Sequence, residues 1–237
     1  MPTKRRSNRQ QSESLSSSWL TNSTLGIFFG FLEISIVGLI YAVLTSQNPA
    51  FKQAGYAVIL AGALEGAIIG QWQYKALSLK FPKISEKNWV LLSALASTLI
   101  WFSIIFLPYL KFFPTISQSS PALQSQAYTR AAAQLLKFSP LYTFIISFLA
   151  GLFLGYILSF LQWIELSKHV KASFKWIFFN SLAWALGFSV IITLMSKLPY
   201  TNLFSLILSA LFTFFVSAAV ISIISLAGVL SLSKTKN

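Results

Sequence analysis

Cysteine and aspartate are missing from the 237 residues, and histidine occurs once, as His169. Without cysteine there is no disulfide, no thiolate chemistry and no Cys-ligated metal. Without aspartate there is neither a Ser-His-Asp triad nor an intramembrane aspartyl pair. A lone loop histidine does not make a metal site. A rhomboid-type serine needs Gly-x-Ser-Gly and an embedded histidine, but here Gly187-Phe188-Ser189 is followed by Val190. Glycine-rich phosphate loops are absent as well. The expectation is a protein that is not an enzyme, with no catalytic residues, no metal and no cofactor.

Charge is scarce too. Charged residues make up 10% of the chain and hydrophobic residues 55%, with a mean hydropathy of +0.69. A hydrocarbon core about 30 Å thick takes about 20 apolar residues as helix. Six stretches meet that length, at about 25–45, 55–77, 89–110, 141–164, 175–196 and 203–230. A spanning β-barrel needs alternating polar and apolar residues, and runs such as Leu203 to Leu230 do not alternate. The expected fold is all-α, a polytopic membrane bundle of six transmembrane helices over 25–230. Residues 1–24, serine-rich and basic, read as a disordered cytoplasmic tail, and 231–237 as a second tail. The first apolar run is too long for a signal-peptide core and reads as a retained span.

The net charge of +13 would point to nucleic acid in a soluble chain. Here the basic residues sit in tails and short loops, so membrane topology accounts for them and no nucleic-acid partner is expected. With the N-terminus inside, Lys4, Arg5, Arg6, Arg9, Lys75, Lys80, Lys83, Lys87, Lys168, Lys171, Lys175, Lys234 and Lys236 fall on the inner side. Only Lys52, Lys111, Arg130, Lys137 and Lys197 fall outside. Positive charge accumulates on the cytoplasmic side, which places both termini there. Trp19, Trp72, Trp89, Trp163 and Trp176 then mark inner span ends, and Tyr41, Tyr56, Tyr109, Tyr142 and Tyr200 outer ones, as an aromatic belt. Trp101, Trp184 and Tyr156 fall within spans and read as packing residues. The basic loops 78–88 and 167–175 suit anionic lipid headgroups. A protein partner or a homo-oligomer remains open.

The chain also matches itself. Span 2 reads Gly62-x3-Gly66-x3-Gly70-x2-Gln73-x3-Leu77, and span 4 reads Gly151-x3-Gly155-x3-Ser159-x2-Gln162-x3-Leu166, an offset of 89. Beyond the loops Trp89 matches Trp176 and Ala96 matches Ala183, at an offset of 87. Spans 2–3 and 4–5 therefore form a candidate parallel hairpin repeat. Small residues every fourth position let helix backbones approach closely where lipid supplies no hydrophobic force. Gly26 and Gly30 repeat the device in span 1.

Ionisable groups inside a membrane are costly and mark candidate functional sites. Glu33 and Glu65 are the two here, with Gln73, Gln162 and Asn180 as further polar groups on neighbouring helices. They allow two readings: a hydrogen-bonded strut between helices, or a proton or cation site in a small transporter or channel. Glu165, beside Lys168 and His169, reads as a solvated ion pair at the interface. Residues 122–137, in the outer loop 111–140, favour a short surface helix.

The stretch 58–108 resembles a pattern in a family of bacterial multi-pass membrane proteins, cyanobacterial ones included, to which no activity is attached. The residues that carry it are Glu65-Gly66, Gly70, Gln71 or Gln73, Pro82 in a basic loop, Trp89, and Trp101 followed by Pro108. Lysines stand where arginines are expected, and no glycine precedes Pro108. The resemblance implies a bacterial inner membrane, or a thylakoid in a cyanobacterium, and no particular chemistry.

Overall fold

The computed structural model describes residues 3–47, 55–106, 139–198 and 202–232, all of them helix or short connections between helices. Six helices follow one another: α1 (Thr3–Gln47), α2 (Gly55–Leu77), α3 (Glu86–Phe106), α4 (Pro140–His169), α5 (Phe174–Met195) and α6 (Leu203–Ser231). Five of them, α2 excepted, contain stretches long and apolar enough to cross a membrane. In α2, Glu65, Gln71, Gln73 and Lys75 dilute an otherwise apolar run of 23 residues. The expected surface helix at 122–137 lies outside the described residues.

Chain punctuation sets several helix ends. Ser139 caps α4 by accepting from the Tyr142 N–H, and Pro140 occupies the first turn, where a missing N–H costs nothing. Asn202 and Ser205 form a reciprocal capping box at the start of α6. Lys80 closes the other end of that helix, its Nζ donating to the Val229 carbonyl at 2.7 Å, where the helix dipole favours a cation.

Each helix packs on its chain neighbours, and α6 returns to α1, so the six form a closed ring. The α2–α3 and α4–α5 connections lie at one end, called here the basic end. It also receives the early part of α1 and the last turn of α6. The sequence leads one to expect a loose tail through residue 24, yet α1 is helical from Thr3. Leu15, Trp19 and Ser23 are buried in the bundle. At about 1.5 Å per residue, 45 residues make a rod of roughly 67 Å, and its inner part closes the ring.

The core is layered along the ring axis. At the basic end Trp19, Trp89 and Trp176 are each fully buried. Trp176 stands edge-on to Trp19 at 5.7 Å between ring centroids and lies 5.9 Å from Trp89. Leu77, Leu166 and Val229 complete this layer. These tryptophans are therefore not the lipid-facing belt that their place at span ends suggests. An indole buries more surface against two other indoles and a leucine layer than against headgroups. Trp72 and Trp163 are the partly exposed ones: Lys75 Nζ sits 4.3 Å from the Trp72 ring centroid, and Trp163 Nε1 donates to Ser173 Oγ. The next apolar layer holds Ile27, Ile69, Ala96, Leu158, Ala183 and Ile221.

Gly66 and Gly70 bring α2 onto Ser93 of α3, and Gly151 and Gly155 bring α4 onto Trp184, Ala185 and Ser181 of α5. Ser159 Oγ lies 3.2 Å from Ser181 Oγ. Gly62 packs on Trp101, and Gly26 and Gly30 pack on Trp72 and Ile69. A side chain at Gly66 would strike the Ser93 carbonyl oxygen and sit 2.7 Å from Ser97 Cβ, whereas Gly38 has nothing within 4 Å. Overpacking of this kind costs a few kcal/mol. Gly66→Leu should lower unfolding free energy in detergent by about 3 kcal/mol or more, and Gly38→Leu should shift it by under about 0.5 kcal/mol. Thermal unfolding of the two variants, with size-exclusion profiles, checks both.

Candidate functional site

Above the tryptophan layer lies a buried polar cluster. Gln162 Nε2 on α4 donates to Gln73 Oε1 at 3.0 Å and to Ser93 Oγ at 2.8 Å. Trp176 Nε1 donates to Gln162 Oε1 at 3.2 Å. The two glutamines that match at an offset of 89 thus touch, and they join the two hairpins. On the far side Trp19 Nε1 donates to Ser225 Oγ at 3.1 Å and to the Ser222 carbonyl. Each bond removes a polar atom from an apolar interior, where an unmade one costs about 1–3 kcal/mol. Some atoms stay unmatched: Gln73 Nε2, Trp89 Nε1, Trp184 Nε1 and both polar atoms of Asn180 are buried without a hydrogen-bond partner. Asn180, expected among the site residues, has no bonded contact with either glutamate.

Glu65 lies further along the axis and is 6% exposed. Its Oε2 accepts from Ser97 Oγ and from Trp101 Nε1, each at 2.7 Å. Both donors sit on α3, four residues apart, on the face that α2 meets. Trp101 is therefore a ligand of the carboxyl and not simply a packing residue. A tryptophan one helical turn beyond a serine, facing an intramembrane glutamate across a hairpin, is the signal that could have found it. Glu33 on α1 is only partly buried, and its Oε2 has no hydrogen-bond partner. No hydrogen bond joins the two glutamates.

Glu65 borders a cavity of about 300 Å³. All six helices line it, and the lining is apolar save for Glu65 and two serines, Ser35 and Ser97. Glu33 is not part of the lining, so the cavity does not join the two carboxyls. The tryptophan and glutamine layers close the axis on the basic side. At the rim Ser35 and Ile104 are exposed, toward the opposite end of the bundle.

A second acidic group works differently. The thirty residues of α4 reach roughly 45 Å, longer than the hydrocarbon is thick, and Glu165 to His169 follow the stretch 141–164 read from the sequence as the span. Glu165 is nonetheless 1% exposed and is not the solvated pair expected from its neighbours. Its Oε1 accepts from the Ser85 N–H at 3.0 Å, its Oε2 from Asn88 Nδ2 at 3.1 Å and from Lys168 Nζ at 2.7 Å. His169 Nε2 lies 3.3 Å away. The α2–α3 loop folds over the end of α4 and takes this carboxylate as its anchor. Burial by itself opposes the charge, but the bonds from Lys168, Ser85 and Asn88 and the Lys168 charge outweigh it, bringing the carboxyl down from the ordinary 4.5 to about 2. Among the described residues no group of acidic or histidine side chains could hold a metal ion.

No family model, no curated protein and no solved structure matches this chain.

A carboxyl held lower in the folded state than in the unfolded one stabilises above its unfolded pKa and stops doing so as pH falls through its folded pKa. Glu165→Gln should therefore lower stability by about 2 kcal/mol near neutral pH. The gap to wild type should close as pH falls from about 4.5 toward 2. Unfolding curves of the two proteins across that range check the sign and the window.

Proposed function

We propose that this chain is a non-enzymatic, multi-pass membrane protein with six spans and both termini on the cytoplasmic side, acting through helix packing and contacts with lipid or a partner protein. The observation that carries the reading is the bonding of Glu65. Its carboxyl is committed to Ser97 and Trp101 of the adjoining helix, as a strut within one hairpin. The outer surface supports a lipid setting: Leu60, Leu64, Leu91, Leu149, Phe153, Phe178 and Phe212 are all exposed. The six-span count takes α2 as a span despite its polar residues, because both ring neighbours of α2 cross on either side. The membrane is a bacterial one in this reading. Lys83, Lys87 and Lys175, exposed at the basic end, suit anionic headgroups.

The bundle is, in this reading, three like hairpins around one axis: α2–α3, α4–α5, and α6 paired with α1. Gln73, Gln162 and Ser225 correspond, as do Ile69, Leu158 and Ile221, and Leu77, Leu166 and Val229. The second offset is 63. On the outgoing helices Trp19, Trp89 and Trp176 correspond, followed four residues on by Ser23, Ser93 and Asn180, and twelve on by Phe31, Trp101 and Phe188. What supports this is that the first three triplets and the tryptophans are each buried together in one layer.

A second reading, a proton or cation path through Glu33 and Glu65, is favoured by the cavity beside Glu65. The two readings separate on one substitution. Glutamine keeps an acceptor for Ser97 and Trp101, so as a strut Glu65→Gln should change stability by under about 1 kcal/mol and leave ion flux in proteoliposomes as it is in wild type. Abolished flux with an intact fold selects the path instead. Orientation has its own measurement. With no native cysteine, Ser85→Cys and Ala172→Cys should react with an impermeant maleimide only from the cytoplasmic face.

A further inference from the structure

The strut accounts for one oxygen of Glu65. It does not account for the cavity, nor for what surrounds the carboxyl there. Phe31 from α1, Trp101 from α3, Trp184 and Phe188 from α5 and Phe214 from α6 all line the same space. The rings come from four helices, so they surround the space and do not merely stack along one helix. No lysine or arginine lines it. Among the described residues the groups bonded to Glu65 are a hydroxyl and an indole N–H, neutral donors that bring no counter-charge to a carboxylate. An ionised acid in an apolar site is costly unless it meets a counter-charge, so a cation entering the space is what favours the charged form of Glu65. Aromatic faces carry negative potential and attract cations, most strongly where water is excluded. A carboxylate and several aromatic rings around one apolar space form a recognition set for a positive charge carried on a greasy body.

The geometry points to this cavity as a binding site for a small lipophilic organic cation, an alkyl- or aryl-substituted ammonium, with its charge between Glu65 and the rings. Ligand volume limits it to something the size of a substituted benzyl ammonium. An inorganic cation fits poorly: besides Glu65, Ser35 and Ser97 supply the only side-chain oxygens among the described lining residues, and a dehydrated calcium or magnesium ion takes about six or more. A neutral hydrocarbon would fill the space but bring Glu65 no charge. The glutamine-tryptophan layers below shut the axis, and the exposed Ser35 and Ile104 at the rim set the approach from the other end. Binding is all that is inferred, and it stands whether or not the packing reading of the protein holds.

The test uses two probes of one shape. Benzyltrimethylammonium and neopentylbenzene differ by a quaternary nitrogen against a quaternary carbon. Each is titrated into the full-length protein in nanodiscs of neutral lipid at pH 8, following tryptophan fluorescence and the shift in melting temperature. The cation should bind at least about tenfold more tightly than its neutral isostere. Glu65→Gln should erase that preference, and Phe214→Leu, which touches no hydrogen bond of Glu65, should reduce it several-fold. Equal affinity for the two probes overturns the proposal and leaves an apolar cavity only. Absence of binding by the cation overturns it outright. Because the comparison of probes is made on the wild-type protein, the result does not depend on Glu65→Gln folding. A membrane-strut role alone moves neither the preference nor its loss in Phe214→Leu.

Discussion

The meeting of three indoles at one end of the ring is the contact on which the rest of the bundle rests. In lipid, apolar helices gain little by leaving hydrocarbon for one another, so association needs close packing and polar atoms that find partners. Trp19, Trp89 and Trp176 supply both. The Trp176 ring lies within 6 Å of each of the other two, and two of the three N–H groups reach across to Ser225 and Gln162. Each indole belongs to a helix leading away from the basic end, and each partner to a helix arriving there. The layer therefore ties α6 to α1, α4 to α5 and, through Gln73, α2 to α4. Two further locks act just outside it: Glu165 fixes the α2–α3 loop to α4, and Lys80 fixes it to the end of α6. A bundle held this firmly at one end is free to be less densely filled at the other, and that is where the cavity lies.

The helices and their small-residue faces were legible in the sequence because both depend on local composition. Gly66, Gly70, Gly151 and Gly155 each face a neighbouring helix, and Gln73 and Gln162, which match at an offset of 89 in the sequence, are hydrogen-bonded to each other. What stayed hidden had a common cause, which is that burial at a helix end is decided by partners distant in the chain. The tryptophans at span ends suggested a lipid interface, and the charges around Glu165 suggested solvent. Both inferences treat an end as a surface. Here the ends are covered, by α1 continuing inward past the bilayer-length stretch and by a loop carrying Phe81 and Ile84 into the core. Trp101 was passed over for the converse reason: nothing in its neighbourhood on the chain marks an indole N–H as spent on a carboxyl 36 residues earlier.

The proposed third set of matching positions is faint in the sequence for two reasons. Phe214, Ala218 and Ser222 stand where α2 and α4 have glycine or serine, so the residue types blur. The outgoing partner of α6 is α1, at the other end of the chain, so the hairpin is not contiguous. In that reading the roles persist while the side chains differ. Ser225 accepts from Trp19 as Gln162 accepts from Trp176, and Val229 fills the layer beside Leu77 and Leu166.

Those matches make Glu65 informative by contrast. Counting by the same offsets, its counterparts are Leu154 on α4 and Ser217 on α6. Leu154 lines the cavity as an apolar wall, and Ser217 spends its hydroxyl on the Gly187 carbonyl of α5. A bundle that needed this position only for packing has two uncharged solutions already present in the same chain. A carboxyl there costs more than either, since hydrocarbon-depth acids are expensive. It has drawn Ser97 and Trp101 around one oxygen to hold it in place. A strut between α2 and α3 could be made more cheaply by a serine, as Ser159 does with Ser181 between α4 and α5. Stability alone therefore does not select a glutamate at this site, whereas the proposed binding of a cation in the aromatic-lined space beside it would.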